Sequence, residues 1–149
     1  MPWDNYPFEQ FPSLWLWLGS QIATGALQIS SVALEEVERK TPECAAWLKA
    51  QKVSVHSVDQ KILLEAVRIK ALLSIEGERF GGGVGENDLL IIAAAKLKGA
   101  TLVTDERRQP DLPRIKANYK IPAVCGMQTV DVSCLNFLEY LKKSKEVFG

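Results

Sequence analysis

Apolar residues follow two spacings along this chain, and the alternation between them outlines the fold. Leu14, Trp15, Leu18 and Ile22 recur at helical spacing after Pro12-Ser13 and before Gly25, which predicts a helix over 12–24. The same reasoning predicts helices over 31–40, capped by Ser30 or Ser31, and over 42–51, with Thr41 before Pro42. Ile62, Leu63, Ala66, Val67, Ile69, Ala71 and Leu72 predict another over 58–73, and an amphipathic helix closes the chain over 135–145. Short apolar runs at 26–29, 53–55, 100–104 and 130–134 read as strands. Met1 to Phe11, with Pro2 and Pro7 inside it and Pro12 after it, reads as an ordered but irregular arm. Helices alternating with short strands predict an α/β, three-layer domain with a mostly parallel sheet, occupying 1–149 as a single unit.

The stretch from Gly85 to Asp105 organises the rest. Asn87 is the expected N-cap of a helix over 88–98, Asp88 suits the positive end of its dipole, and Gly99 is the expected left-handed stop. That helix is roughly 16 Å long, and a following strand over 100–104 runs back about as far, so Asp105 is expected to return to the level of Asp88. Leu102-Val103 lacks alternation, as in a parallel strand covered on both faces, and ligand sites in such sheets lie beyond the carboxyl ends of the strands. A third acid, Glu36, shares a helix face with Val32, Ala33 and Val37, while Glu35, Glu38 and Arg39 point to water. An acid beside an apolar stripe is satisfied by a partner, by a metal, or by keeping its head in solvent.

Eighteen basic and eighteen acidic residues balance, so nothing global calls for a nucleic-acid coat or a membrane surface. The one basic concentration follows Asp105, with Arg107, Arg108, Arg114, Lys116 and Lys120, next to the acids. Cations beside a carboxylate cluster suit docking of a phosphodiester, although most charge runs are simply solvated. Three cysteines, Cys44, Cys125 and Cys134, with no close pair in sequence fit a reducing compartment better than a disulfide framework. Leu14 to Leu18 is far too short to span a bilayer and no basic leader precedes it, so a cytoplasmic location is expected. The only histidine, His56, has no second ligand spaced to join it and reads as structural or exposed. Gly81-Gly82-Gly83-Val84-Gly85 follows a helical segment and carries Glu86 where a third glycine belongs, so it matches a phosphate loop poorly and reads as a mobile loop beside Asp88.

The segments Ile29 to Val37, Asn87 to Ala95 and Thr101 to Asp105 resemble, in order, the second, third and fourth acidic motifs of PIN-domain ribonucleases, VapC-type toxins among them. The opening Tyr6 to Trp15 and the tail around Lys120 to Leu138 resemble an uncharacterised PIN-like branch of small bacterial and archaeal proteins. The resemblance implies a ring of carboxylates holding Mg²⁺ or Mn²⁺, with Glu36, Asp88 and Asp105 as its ligands and catalytic acids, and water attacking an RNA phosphodiester. Thr104 would orient the last acid or touch phosphate, with Arg107 and Arg108 as further nucleic-acid contacts. It also implies an antitoxin partner and a homodimer, for which Trp15 and Trp17 are the expected apolar surface.

The family's first strand, with its aspartate, has no counterpart here, since Asp4 lies in a Pro and Trp context. A weakened nuclease is therefore expected, and a longer chain would be expected to cleave faster. Two other readings stay open: a catalytically inactive PIN-like binding or assembly module, and a nucleotide binder resting on the glycine loop alone.

Overall fold

Ser30 ends a strand and begins a helix with one side chain. Its hydroxyl accepts the Ala33 N–H at 3.1 Å, so the chain turns from β1 (Gln28–Ser30) into α3 (Ser31–Lys40) without a loop. The structure, a computed structural model, describes residues 1–148 and divides them into two compact units: 1–57 with 145–148, and 58–144.

In the first unit, α1 (Pro2–Asn5) and α2 (Pro12–Ala23) precede β1, and α4 (Pro42–Ala50) and β2 (Ser54–His56) follow α3. β1 and β2 run parallel, with Ile29 opposite Val55 and Ser30 opposite His56. His56 Nε2 is hydrogen-bonded to Gln28 Oε1, so the lone histidine helps join the two strands. The opening arm is not wholly irregular, because Pro2 sits at the first helical position, where its missing N–H costs nothing. Lys49 on α4 pairs with Glu38 on α3.

Trp15 is the centre of this unit. Its ring meets Trp3 edge-on at 5.1 Å and Trp47 at 5.0 Å, and Phe8 stacks on it at 6.2 Å. Its indole N–H donates to the Tyr6 carbonyl at 2.8 Å. Aromatic pairs of this kind add about 0.5–1.5 kcal/mol each beyond their burial. Trp15 is thus only 4% exposed and serves the unit's own packing, not the surface expected of it. Trp17 is half-buried against Phe148, and Leu16 is a large apolar residue of this helix left in solvent, at 74% exposure.

The second unit is built on α5 (Gln60–Leu72) packed against α6 (Glu86–Lys98). Asp59 caps α5 by accepting the Ile62 N–H at 2.9 Å. Ile62, Ala66 and Ile69 of α5 face Leu89, Ile92 and Ala93 of α6 in one apolar cluster. Leu63, Leu64 and Val67 point outward instead, at 49, 63 and 62% exposure, so the buried stripe is narrower than the spacing predicts. After Gly99, which takes the expected left-handed backbone at φ 60°, come β3 (Leu102–Val103), a 3-10 turn at Lys116–Asn118, α7 (Ile121–Cys125), β4 (Cys134–Leu135) and α8 (Phe137–Ser144). β3 pairs parallel with β4. The architecture is α/β, and among the described residues four strands form two separate parallel pairs, one pair in each unit. Among the described residues no helix is long and apolar enough to cross a membrane.

The glycine stretch is pinned rather than mobile. Gly82 N–H donates to Asn118 Oδ1 at 2.8 Å, and Val84 N–H donates to the Tyr119 carbonyl at 2.9 Å. A Cβ on Gly83 would lie 2.1 Å from that carbonyl oxygen, and one on Gly81 would lie 2.8 Å from the Ala117 carbonyl. The glycines are there because backbone meets backbone, with no phosphate cradle required. Gly83→Ala is accordingly expected to cost about 1–3 kcal/mol or more of stability. Gly82→Ala, whose Cβ would come no nearer than 3.7 Å to Asn118, should stay within about 0.5 kcal/mol. Urea denaturation of both variants checks the contrast, and equal losses would show that the close approach is not what requires glycine.

Candidate functional site

The backbone of Leu102 to Thr104 sets the site. Leu102 N–H donates to the Ser133 carbonyl at 2.8 Å and Thr104 N–H to the Leu135 carbonyl at 2.9 Å, so the ladder ends at Thr104 and Asp105 is the first residue beyond it. Beyond the carboxyl ends of β3 and β4 lies a pocket of about 270 Å³, lined by residues 104–108, Pro122 and residues 134–136. This is where an open parallel sheet places ligand sites. Asp105 is exposed in it, and Thr104 is half-buried. The Thr104 hydroxyl accepts the Glu106 N–H at 3.2 Å, which tightens the turn that presents Asp105.

Asp88 stands elsewhere in the same unit. The helix begins two residues earlier than the sequence suggests, with Gly85 as N-cap and Glu86 as first residue, in place of a start at Asp88 capped by Asn87. Asp88 therefore occupies the third helical position, and its Oδ2 accepts the Gly85 N–H at 2.9 Å. It holds the helix start from within. Asp88 is half-buried and does not line the pocket. Glu36, half-buried on α3, belongs to the first unit. Its helix buries Val32 and Leu34, whereas Ala33 and Val37 are only partly covered. Among the described residues no three His, Cys, Asp or Glu side chains gather as a metal-binding group.

The basic segment is more ordered than a charge run implies. Glu106 Oε2 accepts the Ile121 N–H at 2.8 Å, and Gln109 spans the Asn118 carbonyl and the Lys120 N–H at 3.1 and 2.9 Å. Arg108 Nη2 donates to the Cys134 carbonyl at 3.0 Å and to both oxygens of Glu139 at 3.0 and 3.3 Å. Among the described residues no ion pair engages Arg107, which is exposed at the pocket. Of the two arginines, Arg107 is the one whose charge is uncompensated.

Sequence reasoning passed over Glu139, Asn136 and Cys134. The first two had a readable signal, because Asn136-Phe137-Leu138-Glu139 is a capping box. Asn136 Oδ1 accepts the Glu139 N–H at 2.8 Å, and Glu139 Oε1 accepts the Asn136 N–H at 3.0 Å. Cys134 offered no spacing cue. It comes near the end of α7, which carries Cys125, only through the fold.

A family model described as a domain of unknown function, DUF4411, matches residues 3–148. The chain belongs to this family. No curated protein and no solved structure matches it. The pocket of this DUF4411 chain must therefore be read from its own chemistry.

That chemistry has a measurable pH signature. The Asn136 N–H, and then Arg108, hold the Glu139 carboxyl below the ordinary glutamate value. A carboxyl with a depressed folded value adds stability above its unfolded value and loses it as pH falls through the folded one. In an NMR titration Glu139 is expected to protonate below the usual range. In Arg108→Ala it should move up yet remain depressed, because the backbone donor persists. A Glu139 that titrates normally in the unaltered protein would exclude the clamp.

Proposed function

We propose that this DUF4411 chain is a metal-dependent endoribonuclease of toxin type in a three-layer, PIN-like fold, acting at the pocket beyond β3 and β4. The observation that carries the reading is the conjunction at that pocket: an exposed carboxylate at the end of a parallel strand, Asp105, beside an arginine with no ion pair, Arg107. Carboxylate oxygen is the donor that Mg²⁺ or Mn²⁺ takes, and magnesium is commonly held by one or two carboxylates together with substrate phosphate. The donor chemistry of Asp105, and of Asp88 in the same unit, fits such an ion. When bound, the metal would lower the pKa of water and offset charge on the phosphoryl oxygens.

The chain's own groups do the rest. Arg107 draws the RNA phosphate by charge. Arg108, its charge met by Glu139 and its guanidinium bonded to the Cys134 carbonyl, holds the pocket wall in place. Thr104 fixes the turn at Asp105. An inhibitory antitoxin partner and a homodimer belong to the same reading, and exposed Leu16 and the Leu63, Leu64 and Val67 face of α5 are apolar surfaces they would cover.

One observation favours a second reading, an RNA-binding or assembly module that does not cleave: among the described residues no three acids gather as a ready metal group. The test is cleavage of a generic RNA with Mg²⁺ or Mn²⁺, beside RNA binding measured in EDTA. Under the first reading Asp105→Asn should slow cleavage by at least ~10-fold, since a carboxylate near a divalent ion contributes several kcal/mol even at a dielectric near 20. Arg107→Ala should reduce the salt dependence of RNA binding by about one unit of slope. RNA binding without cleavage selects the module. Neither binding nor cleavage removes both readings.

A further inference from the structure

Asn136 has one half of its side chain committed and the other half open. Its Oδ1 accepts the Glu139 N–H at 2.8 Å, and because only the oxygen of an amide can accept, that donor fixes which way round the group lies. Glu139 returns the bond by accepting the Asn136 N–H through Oε1 at 3.0 Å, and is itself held by Arg108. The amide is thus oriented before any ligand arrives. Among the described residues no hydrogen bond engages its Nδ2, and the residue is exposed where it lines the pocket beyond β3 and β4.

Arg107 lines the same pocket, and among the described residues no ion pair engages it. Both groups can only donate, since a guanidinium has no acceptor and the acceptor of the Asn136 side chain is already taken. A ligand that meets both must answer with acceptors alone, which is what phosphate oxygens are. The surrounding charge narrows the choice further. Two carboxylates, Asp105 and Glu106, line the pocket with Arg107 and Arg108, and Arg108 is paired with Glu139. Such a setting suits a phosphodiester, with its single charge, better than a terminal phosphate that carries close to two.

We propose, on the RNA reading of this pocket, that Asn136 and Arg107 together bind one internal phosphodiester of the chain, Asn136 donating from Nδ2 and Arg107 supplying the charge. The cap that orients Asn136 also makes it a good ligand group, because a side chain already held in place loses little freedom on binding. A hydrogen bond to a charged oxygen is stronger than one between neutral groups, and its loss weakens binding about tenfold. Arg107 attracts any anion, whereas the amide at the start of α8 accepts a phosphate oxygen at one place and so sets where the strand lies relative to Asp105.

The experiment uses the full chain in EDTA, where no metal-dependent cleavage intervenes, and follows side-chain amide signals by NMR as the dinucleotide UpU is added. The Asn136 Nδ2 protons are expected to shift saturably. UpU with an uncharged methylphosphonate linkage should leave them in place, and uridine monophosphate at mildly alkaline pH should bind more weakly than UpU. Asn136→Ser keeps an acceptor for the Glu139 N–H, so the cap survives while the amide donor is lost. It should weaken UpU about tenfold, as should Asn136→Ala, which loses cap and donor together. A purely structural Asn136 would spare the serine variant, and circular dichroism identifies any variant that fails to fold. The proposal is overturned if UpU leaves the Asn136 amide unmoved, if Asn136→Ser binds as the parent does, if the uncharged analogue shifts the amide as UpU does, or if uridine monophosphate binds more tightly. RNA cleaved in Mg²⁺ while UpU leaves Asn136 unmoved would remove this contact and keep the nuclease reading. UpU held by Asn136 with no RNA cleaved would do the reverse.

Discussion

The short parallel ladder between β3 and β4 is the constraint on which the second unit's chemistry depends. It is only a few hydrogen bonds long, yet it sets where Asp105 leaves the strand, brings the Cys134 carbonyl to Arg108, and lays β4 near α7. Without that register the pocket would have no floor. A one-residue slip would turn every side chain of β4 to the opposite face, burying Leu135 where Cys134 now stands. So short a ladder is held by what flanks it: α6 and Gly99 deliver β3 to it, and the turn ending at Val132 delivers β4.

Glu139 shows how few groups keep the rim in order. One carboxylate accepts the Asn136 N–H, so starting α8, and also receives Arg108, so fastening the segment after Asp105 to that helix. The ion pair is solvent-exposed and by itself contributes little. Its weight lies in joining two segments that would otherwise be independent loops. Removal of either partner is therefore expected to act on both segments, and the effects of changing Arg108 and Glu139 together should not add.

Much of this was legible in the sequence where the signal is local. Ser30, Asp59 and Gly99 mark their helix ends by side-chain or backbone chemistry confined to one turn, and the structure uses Ser30 and Gly99 as expected. Asp105 at a pocket beyond a parallel strand follows from the same local reasoning. What escaped is either a competition between adjacent caps or a contact made across long stretches of chain. Asn87 is a good N-cap by type, but Asp88 three residues after Gly85 closes the turn from inside and draws the start upstream. Trp15 falls on the apolar stripe of its helix, but that it packs inside its own unit and not at an interface is decided only when Trp3, Phe8 and Trp47 arrive from other segments. The same holds for α7 with β4, and for the glycines against Ala117 and Tyr119: no periodicity announces them, because only folding brings the partners together.

The glycine seam has a consequence for how heat acts on this unit. Glycine surrenders more backbone freedom on folding than any other residue, and here several surrender it side by side to sit against another backbone. A free-energy term of that kind grows with temperature, while burial between α5 and α6 weakens far less. Warming therefore acts first on the seam at Gly81 to Val84. Its release would free Asn118 and Tyr119, then the segment that Gln109 and Glu106 tie to residues 118–121, before the α5–α6 cluster parts. The pocket would lose its wall while the helices beneath it were still packed, giving the unit two melting behaviours in one chain: a rim that softens early and a core that persists.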